Sequence, residues 1–174
     1  VHSLTASTPT LDPDICREFL HGFSSLLLAS SDDAGVPESS YSPFILAHDA
    51  FFILVSELSG HTANLRRQQV SVMFIENESE ASNIYTRRRL IIQCKAKEHS
   101  RTSTCWTSTL PFFRERFGET ISVIETLADF VLMELQPLNG RWITGFGHAF
   151  SFDQLDFLNA HHIGPNQIKR QRTS

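Results

Sequence analysis

The sequence is poor in the features that mark several common chemistries. Its 174 residues hold only three cysteines, Cys16, Cys94 and Cys105, far apart and odd in number. Without a CxxC pair, a zinc knuckle or thioredoxin-type site is disfavoured, and a reduced, cytoplasmic compartment is expected. No apolar run approaches the roughly 18 residues that span a bilayer. No charged start leads into an apolar signal core, so no membrane partner is expected. Basic residues are not in excess: 15 Lys and Arg against 19 Asp and Glu give a net charge of -4. That balance argues against nucleic acid as a partner while leaving room for a local basic pocket. HExxH, GxSxG and Walker motifs are absent and carboxylates are scattered, so no hydrolase machinery is visible.

What is present is an ordinary globular mixture, 41% hydrophobic and 20% charged, enough at this length for one sizeable core. The reading is a loose segment over 1–11, a single domain over 12–160 and a tail over 161–174. "DPDICREFLHGF" predicts a helix with Asp12 as N-cap and Pro13 at the first helical position. "SSLLLASSD", "PESSYSPFILA" and "AFFILVSEL" predict three strands, separated by turns at Asp33-Ala34-Gly35 and His48-Asp49. A short helix over Ser59 to Arg67 and the strand "VSVMFIE" follow. "NESEASNIY" reads as a short helix or loop, and "RRLIIQCKAKEH" as a long strand. "TSTCWTSTLPFFRERFG" predicts a helix stopped by Gly118 and kinked or split at Pro111, and "ETISVIETLA" a second one. "DFVLMELQP" and "GRWITGFGHAF" predict a hairpin about Leu138-Asn139-Gly140. "SFDQLDFLNAHH" reads as a terminal helix. Strands joined by short turns, with helices at a few places, favour a mainly β, closed or half-closed antiparallel barrel with peripheral helices.

Four stretches invite chemistry. "SGHTANL" follows a strand and opens a helix, so free backbone N–H groups and the side chains of His61, Thr62 and Asn64 would favour an anion. A plain cap with an exposed histidine accounts for it equally well. In Arg87-Arg88-Arg89, strand alternation puts Arg87 and Arg89 on one face as a fork for phosphate or carboxylates; a charge-guarded edge strand is the alternative. "TGFGHAF" lacks the third glycine and the βαβ context of a dinucleotide fingerprint, which leaves its glycines as bulge or close-approach positions and His148 as a possible ligand. In "NAHHIG", His161 and His162 are either metal or haem-iron ligands or two exposed histidines. Asp129 stands at the mouth of the strand "FVLMELQP".

Taken together, "SYSPF", "LSGHTANL", "VSVMFIENESEASNIYTRRRL", "RFGE", "DFVLMELQP" and "GRWITGFGHAF" resemble, in the same order, haem-utilisation proteins of the HugZ/HutZ type. These belong to the pyridoxamine 5'-phosphate oxidase-like, FMN-binding split-barrel superfamily. The similarity runs from about Leu26 to Phe150. It implies a six-stranded antiparallel split β-barrel and a homodimer with two equivalent ligand sites at the subunit interface. In flavin-binding relatives the FMN phosphate lies near the "SGHTANL" turn and the arginine strand, which implies Ser59, His61, Thr62, Asn64, Arg87 and Arg89 as cofactor contacts. Haem-utilisation members instead bind haem and take part in its breakdown with an external electron donor, the iron being held by a C-terminal histidine. Here the histidine expected slightly later is missing, and His161 or His162 is the candidate in its place. Asp129 matches an acid of the family motif and is implied to orient a ligand histidine.

Overall fold

The computed structural model describes residues 10–67 and 69–164. The segments expected to be loose therefore fall almost wholly outside the described residues. The first helix, α1 (Pro13–His21), starts where the sequence dictates: the Asp12 carboxylate accepts the Asp14 N–H at 3.0 Å, Pro13 occupies the first turn, and Gly22 ends it by donating to Glu18 O. Its buried residues, Cys16 and Leu20, lie one turn apart and plug one end of the barrel. Strands β1 (Ser25–Ser31) and β2 (Pro37–Ala47) form a hairpin. Asp32 Oδ1 accepts from the N–H groups of Ala34 and Val36, and Gly35 takes φ 79°. His48 and Asp49, with φ 51° and 57°, make the two-residue turn into β3 (Ala50–Ser56), the geometry that matches strand twist.

Then come α2 (Gly60–Leu65), β4 (Gln69–Ile75), two single-turn 3-10 segments at Glu78–Glu80 and Ile84–Thr86, and β5 (Arg89–His99). Helices α3 (Thr104–Phe117) and α4 (Glu119–Thr126) precede the 16-residue β6 (Phe130–Gly145), after which β7 (His148–Asp153) and the two-residue β8 (His161–His162) are the last elements among the described residues. The sheet order is β3-β2-β1-β4-β5-β6-β7-β8, and β3 pairs in addition with β6. That pairing closes β1 to β6 into a six-stranded antiparallel barrel. Among the described residues no helix is long and apolar enough to cross a membrane.

β6 is the hinge of this topology. Its first third pairs with β3 from Ser56↔Phe130 to Phe51↔Leu135, its length pairs with β5, and its end pairs with β7. Two hydrophobic clusters result. One fills the barrel with Phe44, Phe51, Phe74, Leu90, Ile92 and Trp142 among others. The other lies outside the barrel wall, where α3 and α4 cover Ala50, Phe52 and Leu54 with Trp106, Leu110, Phe113 and Ile121. β3 is therefore buried on both faces, which is why its sequence is an unbroken apolar run rather than an alternating one. The thiols of Cys16 and Cys94 both sit in the barrel core, and burial pushes each up to about 12.

Three expectations are corrected. Asn139-Gly140 is not a hairpin turn: the strand runs straight through, with Asn139 opposite Gln93 and Gly140 opposite Ile92, and a bulge beside Pro137. Gly140 is required by packing, since a Cβ there would stand 2.3 Å from the Phe152 ring and 2.9 Å from Ile91 O. The true turn is Phe146-Gly147, with Gly147 at φ 72°. Second, Pro111 does not split α3. It lacks an N–H for the Thr107 carbonyl, but both residues are exposed, so water can take the freed group. Third, the expected terminal helix is instead β7, a turn and β8, because Phe150 and Phe152 alternate inward at strand period. Gly140→Ala is expected to lower stability by about 1–3 kcal/mol through overpacking against Phe152. Chemical denaturation measures it, and a further Phe152→Leu change should recover part of the loss.

Candidate functional site

The turn "SGHTANL" forms α2 as expected, but its side chains are largely consumed internally. Thr62 is fully buried and its hydroxyl donates to Ser56 O at 2.6 Å. Asn64 is buried and donates through Nδ2 to Ser30 Oγ at 3.3 Å and to Glu38 Oε2 at 2.8 Å. The Glu38 carboxylate reaches Gly60, where a Cβ would lie 3.0 Å from Oε1. A carboxylate thus already stands at the start of α2. Ser59 caps the helix without a side-chain bond, and it and His61 are the half-buried groups left without a side-chain partner among the described residues. Asp129 sits beside this turn: its carboxylate accepts from Ser56 Oγ at 2.5 Å, and its carbonyl accepts the Glu57 N–H.

The arginines occupy the opposite end of the barrel. α2 leads into the first residue of β4, whereas Arg89 pairs with Ile75, its last. Seven residues of strand, about 20 Å, separate the two groups within one chain. Arg87 precedes β5 and folds back on its neighbours, Nε donating to Glu76 O at 2.8 Å and Nη1 to Glu78 at 3.0 Å. Arg89 donates to Arg87 O at 3.1 Å. Arg88 points the other way, pairing with Glu76 at 2.7 Å and lying 5.4 Å over the Phe19 ring.

The C-terminal histidines share the arginine end, and the sheet register separates their roles. His162 pairs with Phe150, a core-facing residue, and packs edge-on against its ring at 5.5 Å. Its Nε2 donates to Gly147 O at 2.8 Å. His161 pairs with Ser151 on the outer face and is exposed, its imidazole without a partner among the described residues. Following that pairing across the sheet gives one outward row: Tyr41, Leu27, Met73, Ile91, Arg141, Ser151 and His161. Beside it run Ile75, Arg89, Ile143 and Ala149. Tyr41 is 66% and Leu27 41% exposed, large values for apolar strand residues. The outer face is thus an apolar surface with Arg89, Arg141 and His161 toward one edge, Arg141 and His161 two strands or about 10 Å apart.

The comparisons agree on the lineage. The family profile described as "Pyridoxamine 5'-phosphate oxidase" matches residues 13–142. A curated relative, the haem oxygenase HutZ of Vibrio cholerae, is 37% identical over 154 residues, covering 88% of this chain and 87% of its own. The chain is a HutZ-like member of the pyridoxamine 5'-phosphate oxidase-like split-barrel family. The crystal structure of HutZ, described as a haem storage protein, superposes with a TM-score of 0.69 at 38% identity, covering 74% of this chain and 91% of that one. Campylobacter jejuni ChuZ gives a TM-score of 0.77 at 30% identity, with 87% of this chain matched but 61% of that one.

For a member of this family, Arg141 is the residue that motif reading passes over. Its signal is the alternation in "GRWITG": with Trp142 inward, Arg141 and Ile143 must face out. Asp129, by contrast, stands at the far end of β6 from His161 and His162, so it reaches neither within one chain. At the arginine end, Arg88 and Glu76 lock the rim. Burial alone would raise the Glu76 carboxyl, but the Arg88 backbone N–H and guanidinium outweigh it and hold the group below the usual glutamate range. A depressed folded pKa contributes stability above the unfolded value that is lost as pH falls through the folded one. Arg88→Gln should therefore be less stable by about 1 kcal/mol at neutral pH, with the gap to the parent chain closing below the usual glutamate range; denaturation midpoints across that range measure it.

Proposed function

We propose that this protein binds haem in haem and iron utilisation, as the names of its HutZ relatives suggest, and that it takes part in haem breakdown with an external electron donor. The observation that carries the reading is the outer row ending in His161, an imidazole with no partner among the described residues, on the same sheet face as the cations Arg89 and Arg141. A planar, apolar dianion needs an apolar surface, two guanidinium-type contacts for its carboxylates and one neutral imidazole for its metal. This face supplies all three residue types. His161 would hold the iron, while His162, tied to Gly147 O, fixes the strand that presents it. Bound haem would supply an iron centre able to activate oxygen against the porphyrin ring. The chain's part is to orient the ring, neutralise its carboxylates and limit water access.

The same apolar face suits contact with a second copy, which would bury Leu27, Tyr41, Met73 and Ile91 and enclose the ligand at a homodimer interface. Asp129 reaches a ligand histidine only across such a contact. FMN is the poorer fit. Thr62 and Asn64 are spent on internal bonds, and Glu38 sets a negative charge where its phosphate would approach, an unfavourable pairing.

Haem titration of the purified protein tests the reading. His161→Ala should abolish axial ligation, seen as loss of the ligated Soret band, whereas His162→Ala should retain it; a band unchanged in His161→Ala overturns the assignment. Arg89→Ala with Arg141→Ala should weaken haem binding on the order of 10–100-fold. Bilin-type products formed from bound haem with a chemical reductant distinguish breakdown from storage. For the dimer, Leu27→Asp with Ile91→Asp is expected to give a monomer in sedimentation, and an unchanged association state would place the contact elsewhere.

A further inference from the structure

A cleft of about 680 Å³ lies between α1 and the segment following β4, a size suited to a small organic molecule. One wall is a second stripe of α1, distinct from the Cys16 and Leu20 stripe that enters the core. Here Ile15, Glu18, Phe19 and Gly22 recur at helical spacing. Ile75, Glu76, Glu80 and Arg88 line the cleft from the other side. Ile15 is 47% exposed, so this apolar stripe is left open to solvent.

The Phe19 ring is the fixed part of the floor. It packs edge-on against Phe23 at 4.9 Å and against the fully buried Trp142 at 4.6 Å. A face of this ring already carries a cation: the Arg88 guanidinium lies 5.4 Å from its centroid, within cation–π range. Glu76 pairs with that guanidinium at 2.7 Å. The carboxylates of Glu18 and Glu80 have no partner among the described residues. Three carboxylates against one guanidinium leave the lining net negative.

That combination selects its ligand. A hard metal ion takes six to eight oxygen ligands and gains nothing from an aromatic floor, and among the described residues no group of acidic, histidine and cysteine side chains converges as a metal site. An uncharged apolar molecule would leave both free carboxylates unused. We propose that the cleft is a binding site for a small organic cation, an ammonium or guanidinium group on an apolar body. The body lies on Ile15, Phe19 and Ile75, and the charge is met by Glu18 and Glu80. The site uses none of the residues assigned to haem and does not rest on that reading.

Calorimetric titration of the full chain with phenethylammonium tests this, with 2-phenylethanol and methylammonium as comparators at matched ionic strength. Phenethylammonium should bind saturably and at least about tenfold more tightly than either comparator, since each lacks one half of the recognised chemistry. Glu18→Gln with Glu80→Gln, both at exposed positions, should weaken that binding at least about tenfold. Glu115→Gln with Glu119→Gln, on α3 and α4, should leave it unchanged. Absence of saturable binding, equal affinity for the amine and the alcohol, or unaltered affinity in the Glu18/Glu80 variant each overturns the proposal.

Discussion

The pairing of β3 with the first third of β6 is the constraint on which the rest of this structure depends. Without it the strands form an open sheet with two exposed edges; with it six strands close and the edge at β3 disappears. Closure also forces β6 to be long, because the same strand must continue along β5 and then carry β7. The bulge beside Pro137 and the bare Cα of Gly140 are the local devices that let one strand serve three neighbours, the first bending it and the second admitting the Phe152 ring.

That length distributes the polar chemistry. One end of β6 lies by Asp129, α2 and His61; the other lies by Arg89, Arg141 and the C-terminal histidines. A single chain therefore carries two polar ends that do not meet, and joins them through an outward sheet face on which, among the described residues, Leu27 and Tyr41 are exposed and Met73 and Ile91 half-buried. The closed core makes this face rigid: its inward neighbours, Leu90, Ile92 and Trp142, are fully buried, so the outward side chains are held in register by packing behind them.

Much of the fold was legible in the residues. The Asp12–Pro13 start, the Gly35 and His48-Asp49 turns and the unbroken apolar run of β3 are local signals that tertiary structure obeyed. The misreadings share one cause. Asn139-Gly140 carries turn chemistry, yet the glycine answers to an aromatic ring on a strand twelve residues further along, a contact no local window contains. The second polar run, "SFDQLDFLNAHH", has helical composition but joins a sheet edge already built. At the site, the sequence shows which side chains can donate but not which will be used internally: Thr62 and Asn64 are spent on Ser56, Ser30 and Glu38, contacts that depend on how β2 and α2 come together. Arg141 was hidden for the opposite reason, as one charge in a strand whose facing becomes evident only when Trp142 is known to point inward.

The burial of two thiols has a chemical consequence of its own. Nucleophilic attack by sulfur on peroxide or an electrophile runs through the thiolate. Cys16 and Cys94, raised to about 12 by the barrel interior, hold almost none of that form near neutrality. Among its three cysteines the molecule thus leaves only Cys105, partly covered on α3, open to reactive oxygen species, and the interior that closes the barrel is also what keeps its sulfur inert.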